Sequence, residues 1–249
     1  KPREDLEQLL TEGSSEIKVS DLGELVPTAK TAFGINFNQL GSLAKDVIGK
    51  SDADVVLVVG GNHAAALPLY YLPGRVVRAD AHGDAYVLNS PMLKRAVSGG
   101  TYMHFVKEMG LKTSPDVFNV GVKYHNAQSP NGGAFGKLVS TAQLLNHQKL
   151  PQTTLFDIDL DVLREVYRLP HGHSTSDLTA EDLSSLIIRL KPKVVGLFEC
   201  VGRYGRIPEN IVSAYPNVFD PICEAVAAVA VTRSRANQQI LQASSATYR

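Results

Sequence analysis

The sequence predicts an α/β fold in which a mainly parallel sheet carries helices on both faces. Short apolar runs rich in Val, Ile and Leu alternate along the chain with longer amphipathic segments, which is the order that βαβ units produce. Parallel neighbours need crossover connections of helical length, and the amphipathic segments supply them. No internal repeat, linker or low-complexity tract interrupts the 249 residues, so we expect residues 1–249 to form a single domain.

The predicted strands are β-branched runs that end at glycine or at polar residues, and they span 54–61, 75–85, 117–123, 153–163 and 193–202. The predicted helices span 64–72, 92–110, 179–191 and 221–241. Pro68 is awkward within the first of these helices, and Gly99 and Gly100 break the second. The third helix has the clearest start, because Thr179 and Asp182 have the spacing of a capping box.

The composition argues against several classes of function. Basic and acidic residues number 25 each, so gross charge gives no basis for nucleic-acid binding. No apolar run reaches the ~18 residues of a membrane-spanning helix, and the charged N-terminal segment lacks the apolar core of a secretory signal. Cys200 and Cys223 are too few for a disulfide framework, although one bond between them stays open. We therefore expect a cytoplasmic protein that binds neither membrane nor nucleic acid.

Side chains that suit metal ions follow four of the predicted strands. They are His63, Asp80, His82, Asp84, Asp157, Asp159 and Glu199. In the segment DAHGD, residues 80–84, three ionisable side chains occupy every second position and so share one face of an extended chain. Because the carboxyl ends of parallel strands meet at one edge of the sheet, we expect all of these side chains to lie together.

The chemistry of these side chains predicts the metal and the reaction. Carboxylates and imidazoles without thiolates favour Mn²⁺, with Co²⁺, Ni²⁺ or Zn²⁺ as substitutes. Two His and four Asp are more than one ion needs, and they suit two ions about 3.5–4 Å apart that share bridging carboxylates. A water between two such ions becomes hydroxide near neutral pH, so the expected chemistry is metal-assisted hydrolysis. The alternatives for single members are structural: caps or salt bridges for the acids, a satisfied core position for His63, and an ion pair of Glu199 with Arg203 or Arg206.

Four motifs occur in the order in which one enzyme family carries them: GGNH at 60–63, DAHGD at 80–84, FDID at 156–159 and GLFEC at 196–200. This set resembles the arginase/agmatinase family of ureohydrolases. The resemblance implies an arginase-like, three-layer α/β/α fold, a homotrimer, and two Mn²⁺ ions per chain. The ligands it implies are His63, Asp80, His82, Asp84, Asp157 and Asp159. It also implies that Glu199 binds the positive guanidinium or amidine group of a small-molecule substrate.

The acidic strand leaves the last ligand pair open. In the arginase and agmatinase pattern a third Asp follows three residues after the second, whereas here Asp161 follows two residues after Asp159. The segment IDLDVL also resembles the formiminoglutamase version, in which Asp159 and Asp161 are the ligands. We predict Asp157 and Asp159, because FDID matches in place, but all three acids are expected on one side of an extended strand.

The residues that recognise the substrate depart from the family pattern. In the segment SGGTY, residues 98–102, Tyr102 stands where arginases carry the catalytic His, and Tyr86 stands where they carry an Asn that reads the amino-acid end of the substrate. The acidic loop of arginases is replaced at 123–129. His104 lies nearby and is the candidate for the missing proton shuttle. We therefore expect weak or absent activity on L-arginine.

Two functions are consistent with this pattern. The first is an Mn²⁺-dependent hydrolase that acts on another guanidino or amidine compound, with a formiminoglutamase-like enzyme as a variant. The second is a catalytically silent homologue that serves as a metal-binding or structural scaffold. The missing His in SGGTY separates them, because a hydrolase must still protonate its leaving amine.

Overall fold

The computed structural model of the protein describes residues 7–8, 10–11, 17–23, 30–31, 34–35, 37–81, 97, 99, 101–122, 135–146, 152–163, 178–199 and 216–247. Its strands are β1 (Lys30–Thr31), β2 (Gly34–Ile35), β3 (Val56–Val59), β4 (Arg75–Ala79), β5 (Val117–Val120), β6 (Lys137–Leu138), β7 (Thr153–Asp159) and β8 (Val194–Phe198). Its α-helices are α1 (Phe37–Lys50), α2 (Tyr102–Glu108), α3 (Thr141–Asn146), α4 (Ala180–Leu190) and α5 (Pro216–Thr247). The described residues also form 3₁₀ helices at His63–Tyr71, Ser114–Asp116 and Leu160–Val162.

The centre of the fold is a sheet of six strands in the order β3-β8-β7-β4-β5-β6. Every pair of neighbours in it is parallel, whereas β1 and β2 form a separate antiparallel pair. Each parallel step requires a crossover, and the helices between the strands provide it. The predicted α/β fold with a parallel sheet is confirmed.

Successive residues of the strands alternate between two apolar cores, one on each face of the sheet. Val77 and Phe156 pack in the core that contains residues of α4 and α5. Val76 and Leu155 pack in the other core, with residues of α1, α2 and the 3₁₀ helix His63–Tyr71. The predicted three-layer arrangement follows from this alternation, because each face of the sheet buries its own helical layer.

The start of α4 is as predicted from the sequence. Oγ1 of Thr179 accepts a hydrogen bond from the Asp182 N–H over 3.2 Å, and Oδ2 of Asp182 accepts one from the Thr179 N–H over 3.0 Å. These two bonds form the capping box and satisfy backbone donors that the first helical turn leaves without partners. Buried residues recur along α4 at 183, 186, 187 and 190, which is the spacing of one helix face.

The predicted strand 153–163 is too long, because β7 ends at Asp159. Oδ1 of Asp159 accepts a hydrogen bond from the Asp161 N–H over 3.1 Å, and this bond turns the chain into the 3₁₀ helix Leu160–Val162. The expectation that Asp157, Asp159 and Asp161 share one side of a strand is therefore wrong. Asp161 lies beyond the end of the strand.

Other boundaries also differ from the prediction. The predicted helix 64–72 is a 3₁₀ helix, and the proline within it, Pro68, has no backbone N–H to donate to an α-helical bond. Helix α5 begins at Pro216 rather than at 221, because proline suits the first helical position and the following Val218 and Phe219 are buried. Helix α1 was not predicted, although Leu40, Ala44 and Ile48 recur on one buried face.

Residues 82–85 of the second predicted strand and residues 92–96 of the second predicted helix lie outside the described residues. Among the described ranges, no helix is long and apolar enough to cross a membrane.

Candidate metal centre

Four neighbouring strands end at one edge of the sheet and bring the candidate ligands together. β3, β8, β7 and β4 are consecutive in the sheet and run in the same direction. Their carboxyl ends lead to His63, Glu199, Asp159 and Asp80 respectively. The polar cluster lies at this edge, on the face of the sheet that α2 and the first 3₁₀ helix cover.

Two hydrogen bonds fix the backbone at His63. Oδ1 of Asn62 accepts a hydrogen bond from the Ala64 N–H over 2.9 Å and caps the 3₁₀ helix. Oε1 of Glu199 accepts one from the His63 N–H, also over 2.9 Å. Glu199 has a φ of 58°, a left-handed conformation that costs a side-chain-bearing residue about 1–3 kcal/mol. Its own N–H donates to the Gly61 carbonyl over 2.6 Å, so Glu199 is held in a strained conformation against the start of the 3₁₀ helix.

Three buried side chains fit the donor set of one divalent cation. Nδ1 of His63 lies 2.9 Å from Oδ2 of Asp159 and 3.3 Å from Oδ2 of Asp80. Neither approach has hydrogen-bond geometry, and within the described residues this buried nitrogen has no hydrogen-bond partner. Ligand atoms about 2.0–2.2 Å from one ion and at right angles to each other are themselves about 3 Å apart. In the described part of the chain, His63, Asp80 and Asp159 are the one group of three or more such side chains whose ligand atoms all lie within 4.8 Å of one another.

Asp157 lies on the other side of the imidazole and is enclosed by hydrogen bonds. Its Oδ1 is 3.0 Å from Nε2 of His63. Its Oδ2 accepts hydrogen bonds from the hydroxyls of Tyr70, over 2.6 Å, and Tyr102, over 2.9 Å. A carboxylate that receives the second ring N–H of a ligand histidine fixes the ring and leaves the first nitrogen for the metal. The contacts of Asp157 are those of such an orienting residue, and its predicted role as a metal ligand stays a prediction.

A buried arginine completes the network. The guanidinium of Arg78 donates to Oδ2 of Asp80 through one terminal nitrogen, and its Nε donates to the Tyr102 hydroxyl over 2.7 Å. Its carbon Cζ lies 5.3 Å from the centroid of the Tyr102 ring. Arg78 and Asp80 are two residues apart, so their side chains leave the chain on the same face. The register pairs Arg78 with Asp157 on the neighbouring strand.

The pKa shifts indicate an excess of buried negative charge. Burial lowers the pKa of the His63 imidazole, but the charges of Asp157 and Asp159 together outweigh it, and the pKa lies well above its ordinary value. Burial raises the pKa of the Asp159 carboxyl well above its ordinary value, and Asp80 adds to this against the opposing charge of His63. Both shifts have the sign expected where carboxylates crowd together with too little positive charge. A divalent cation bound at this place would supply that charge.

The two tyrosines of the network keep their protons. Burial raises the pKa of the Tyr102 hydroxyl well above its ordinary value, although the charge of Arg78 opposes the shift. Burial also raises the pKa of the Tyr70 hydroxyl, and the charge of Asp157 adds to it. Both hydroxyls therefore donate to Asp157 at neutral pH, and Tyr102 is a weaker acid than a tyrosine in water.

The remaining predicted site residues divide into two groups. His82 and Asp84 lie outside the described residues, so their roles as ligands stay predictions. His104 lies two residues after Tyr102 on α2, about 200° around the helix axis. The contacts that the structure describes for His104 are with Phe105, whose ring centroid is 5.6 Å away, and with the Thr101 carbonyl. Its role as a proton shuttle also stays a prediction.

Two residues of the network were missed at the level of sequence. Arg78 lies within the predicted strand 75–85, and a charged residue there, two positions before Asp80, signals a partner on the same face. Tyr70 lies in an apolar segment and carries no comparable signal. From the sequence, Tyr102 was noted only as the residue that stands in place of a histidine. In the structure its hydroxyl contacts Arg78, His63 and Asp157.

No protein-family model matches the chain, and no curated protein matches it. Solved structures do match. The arginase from Bacillus subtilis superposes with a TM-score of 0.64 at 16% identity, over 91% of this chain and 89% of that one. The formimidoylglutamase from Bacillus subtilis gives 0.56 at 13% identity, over 93% and 80%. A hypothetical agmatinase from Burkholderia thailandensis gives 0.55 at 16% identity, over 81% of this chain and 66% of that one.

This chain has an arginase-like α/β fold. The predicted resemblance to arginases and agmatinases is confirmed for the fold. The sequence identities to these structures are low, so the matches show the fold alone. On this fold, His63, Asp80 and Asp159 form a buried group that could bind a metal ion. The match to the agmatinase spans about two thirds of that protein's length.

Proposed function

We propose that this chain is a divergent, metal-dependent hydrolase of the ureohydrolase type, which acts on a guanidino or amidine compound other than free L-arginine. The observation that carries the proposal is the buried group of His63, Asp80 and Asp159 on an arginase-like fold. Imidazole and carboxylate donors suit Mn²⁺. When bound, such an ion lowers the pKa of a water molecule and so supplies a nucleophile at neutral pH.

Each residue of the site has a separate task in this proposal. His63, Asp80 and Asp159 hold the cation, and Asp157 orients the His63 ring through Nε2. Glu199, fixed beside the start of the 3₁₀ helix, offers a carboxylate to a cationic guanidinium or amidine group. The predicted second Mn²⁺ ion needs His82 and Asp84 as further donors, and both lie outside the described residues.

The test is a comparison of substrates and of one matched pair of variants. The protein, loaded with Mn²⁺, is incubated with agmatine, formiminoglutamate and other guanidino compounds, and released urea, formamide or ammonia is measured. Turnover with one of these compounds, lost in Asp159→Asn and retained in Asp161→Asn, supports the proposal. No turnover with any of them, in a protein that binds Mn²⁺, contradicts it.

One observation favours a catalytically silent scaffold as the second candidate. Tyr102 occupies the position of the arginase histidine, its hydroxyl is tied to Asp157 and Arg78, and burial raises its pKa. A general acid needs a pKa near the working pH, so Tyr102 is poorly suited to protonate a leaving amine. A protein that binds Mn²⁺ but turns over none of the compounds above fits this candidate.

The assembly and the location of the protein are further parts of the proposal. A homotrimer is implied by the resemblance to ureohydrolases, and a cytoplasmic location by the composition. Light scattering of the purified chain tests the first, and a mass close to one chain contradicts it. A fluorescent fusion observed in cells tests the second.

A further inference from the structure

Arg78 carries a permanent charge in the interior of the protein. Its side chain is 1% exposed, in the middle of β4 and between the neighbouring strands β7 and β5. Burying a guanidinium costs several kcal/mol unless charged and polar partners surround it. Such a residue in a parallel strand therefore needs a specific partner, and the structure shows where that partner lies.

The guanidinium is directed at the metal-binding carboxylates. It donates to Oδ2 of Asp80, and its Nε donates to the Tyr102 hydroxyl over 2.7 Å. Tyr102 in turn donates to Asp157 over 2.9 Å. Arg78 thus contacts one carboxylate of the centre directly and a second one through a tyrosine.

The described part of the centre contains three buried carboxylates: Asp80, Asp157 and Asp159. An arginine stays protonated at every pH a protein tolerates, so Arg78 is a fixed positive charge among them. The atom it holds, Oδ2 of Asp80, is also the atom that lies 3.3 Å from Nδ1 of His63. The guanidinium and a metal ion would therefore share one carboxylate oxygen.

We propose that Arg78 is a built-in counter-charge of the centre, which keeps it folded without metal and competes with the metal ion for Asp80. Two consequences follow. The fold tolerates removal of divalent cations, because one positive charge stays in place. Metal binding is weakened, because the incoming ion meets a cation on one of its own ligands. The second consequence rests on the proposed metal site, whereas the first does not.

Three variants separate charge from packing. Arg78→Met keeps an unbranched apolar stem and removes the charge, and Arg78→Lys keeps the charge. The double variant Arg78→Met/Asp80→Asn removes the charge of both partners. Thermal unfolding of the full chain is followed in EDTA and in Mn²⁺, and Mn²⁺ affinity is measured by calorimetry.

We expect the wild-type Tm to differ by less than about 3 °C between EDTA and Mn²⁺ at a moderate excess of metal. Arg78→Met should lose about 10 °C or more in EDTA, because the buried Asp80 carboxylate loses the positive charge of the guanidinium. Mn²⁺ should bind about tenfold more tightly than to the wild type, and should therefore raise the Tm of Arg78→Met by about 3–6 °C more than it raises the wild-type Tm. Arg78→Lys should resemble the wild type, and the double variant should recover stability in EDTA.

Two results would overturn the proposal. One is an Arg78→Met protein as stable in EDTA as the wild type. The other is a double variant as unstable as Arg78→Met, since lost packing rather than lost charge would then explain the effect. A wild type that binds no Mn²⁺ contradicts the proposed function instead, and the Tm values in EDTA still decide whether Arg78 is the counter-charge.

Discussion

The hydroxyl of Tyr102 donates a hydrogen bond to Oδ2 of Asp157 over 2.9 Å, and both side chains are fully buried. The Tyr70 hydroxyl donates to the same oxygen over 2.6 Å. A carboxylate oxygen accepts two hydrogen bonds, so each tyrosine satisfies one site that water cannot reach. The pair holds Asp157 in the position from which it contacts His63.

Removing either hydroxyl should destabilise the protein. We expect Tyr70→Phe and Tyr102→Phe to lower the free energy of unfolding by about 1–3 kcal/mol each, with the larger loss for Tyr102, which also accepts from Arg78. The double variant should lose more than the sum, because Oδ2 of Asp157 then has neither donor. Urea denaturation measures these changes. Tyr71→Phe, which removes a more exposed hydroxyl, is the control, and single variants as stable as it would contradict the prediction.

The two candidate acids after Asp157 should differ in their effect on metal binding. Asp159→Asn should abolish most Mn²⁺ affinity, because Oδ2 of Asp159 faces Nδ1 of His63 at 2.9 Å. Asp161→Asn should change it less than about threefold, and Asp157→Asn should lower it about 10–100-fold, as for residues that orient a ligand. Calorimetric titration with Mn²⁺ measures all three. A large effect of Asp161→Asn would favour the formiminoglutamase pattern.

Variants of Glu199 should show whether this residue has a catalytic role or only a structural one. Glu199→Gln keeps an oxygen that accepts from the His63 N–H, so its Tm should stay within about 3 °C of the wild type, a change below 1 kcal/mol. Glu199→Ala removes the acceptor and should lower the Tm further. With a substrate that is turned over, Glu199→Gln should lower kcat/KM about 100-fold, because the carboxylate that attracts the cationic group is gone. Unchanged turnover in Glu199→Gln would assign Glu199 a structural role alone.

L-Arginine should be a poor substrate. The resemblance to arginases predicts Tyr102 at the position of their catalytic histidine, and its raised pKa makes it a weak proton donor. We expect urea release from L-arginine in excess Mn²⁺ below about 1 s⁻¹, under the ordinary range for enzymes. The arginase from Bacillus subtilis, assayed alongside, is the positive control. Faster release would show that another group donates the proton.

Cys223 should be unreactive in the folded protein. Its side chain is a buried free thiol on α5, and burial raises its pKa to about 12. Since the thiolate is the reactive form, almost none is present at pH 8. In a Cys200→Ser variant, which leaves this one thiol, Ellman's reagent should react only after urea unfolds the chain. Rapid labelling without urea would show that the α5 packing opens readily.

The architecture was predictable from the order of local patterns along the chain, because these patterns depend on short-range chemistry. The apolar runs at 54–61 and 193–202 predicted the strands β3 and β8, and the amphipathic segments between the predicted strands were expected to cross the sheet. The start of α4 was predictable for the same reason, since Thr179 and Asp182 bond to each other across one helical turn. The meeting of His63 with Asp80 and Asp159 followed from the parallel order, which places strand ends at one edge.

Tertiary contacts decided what lies around those ligands. The end of β7 is a local exception that the sequence pattern did not predict: the Asp159 carboxylate accepts from the Asp161 N–H two residues on, and this took Asp161 off the strand. Asp157 became the centre of a hydrogen-bond network because Tyr70 and Tyr102 arrive from two helices far away in the chain. Local patterning determines which face a residue takes, but it carries no information on which distant groups will share that face. The hydrogen bonds that Tyr70 and Tyr102 make with Asp157 are therefore a property of the packed sheet and helices.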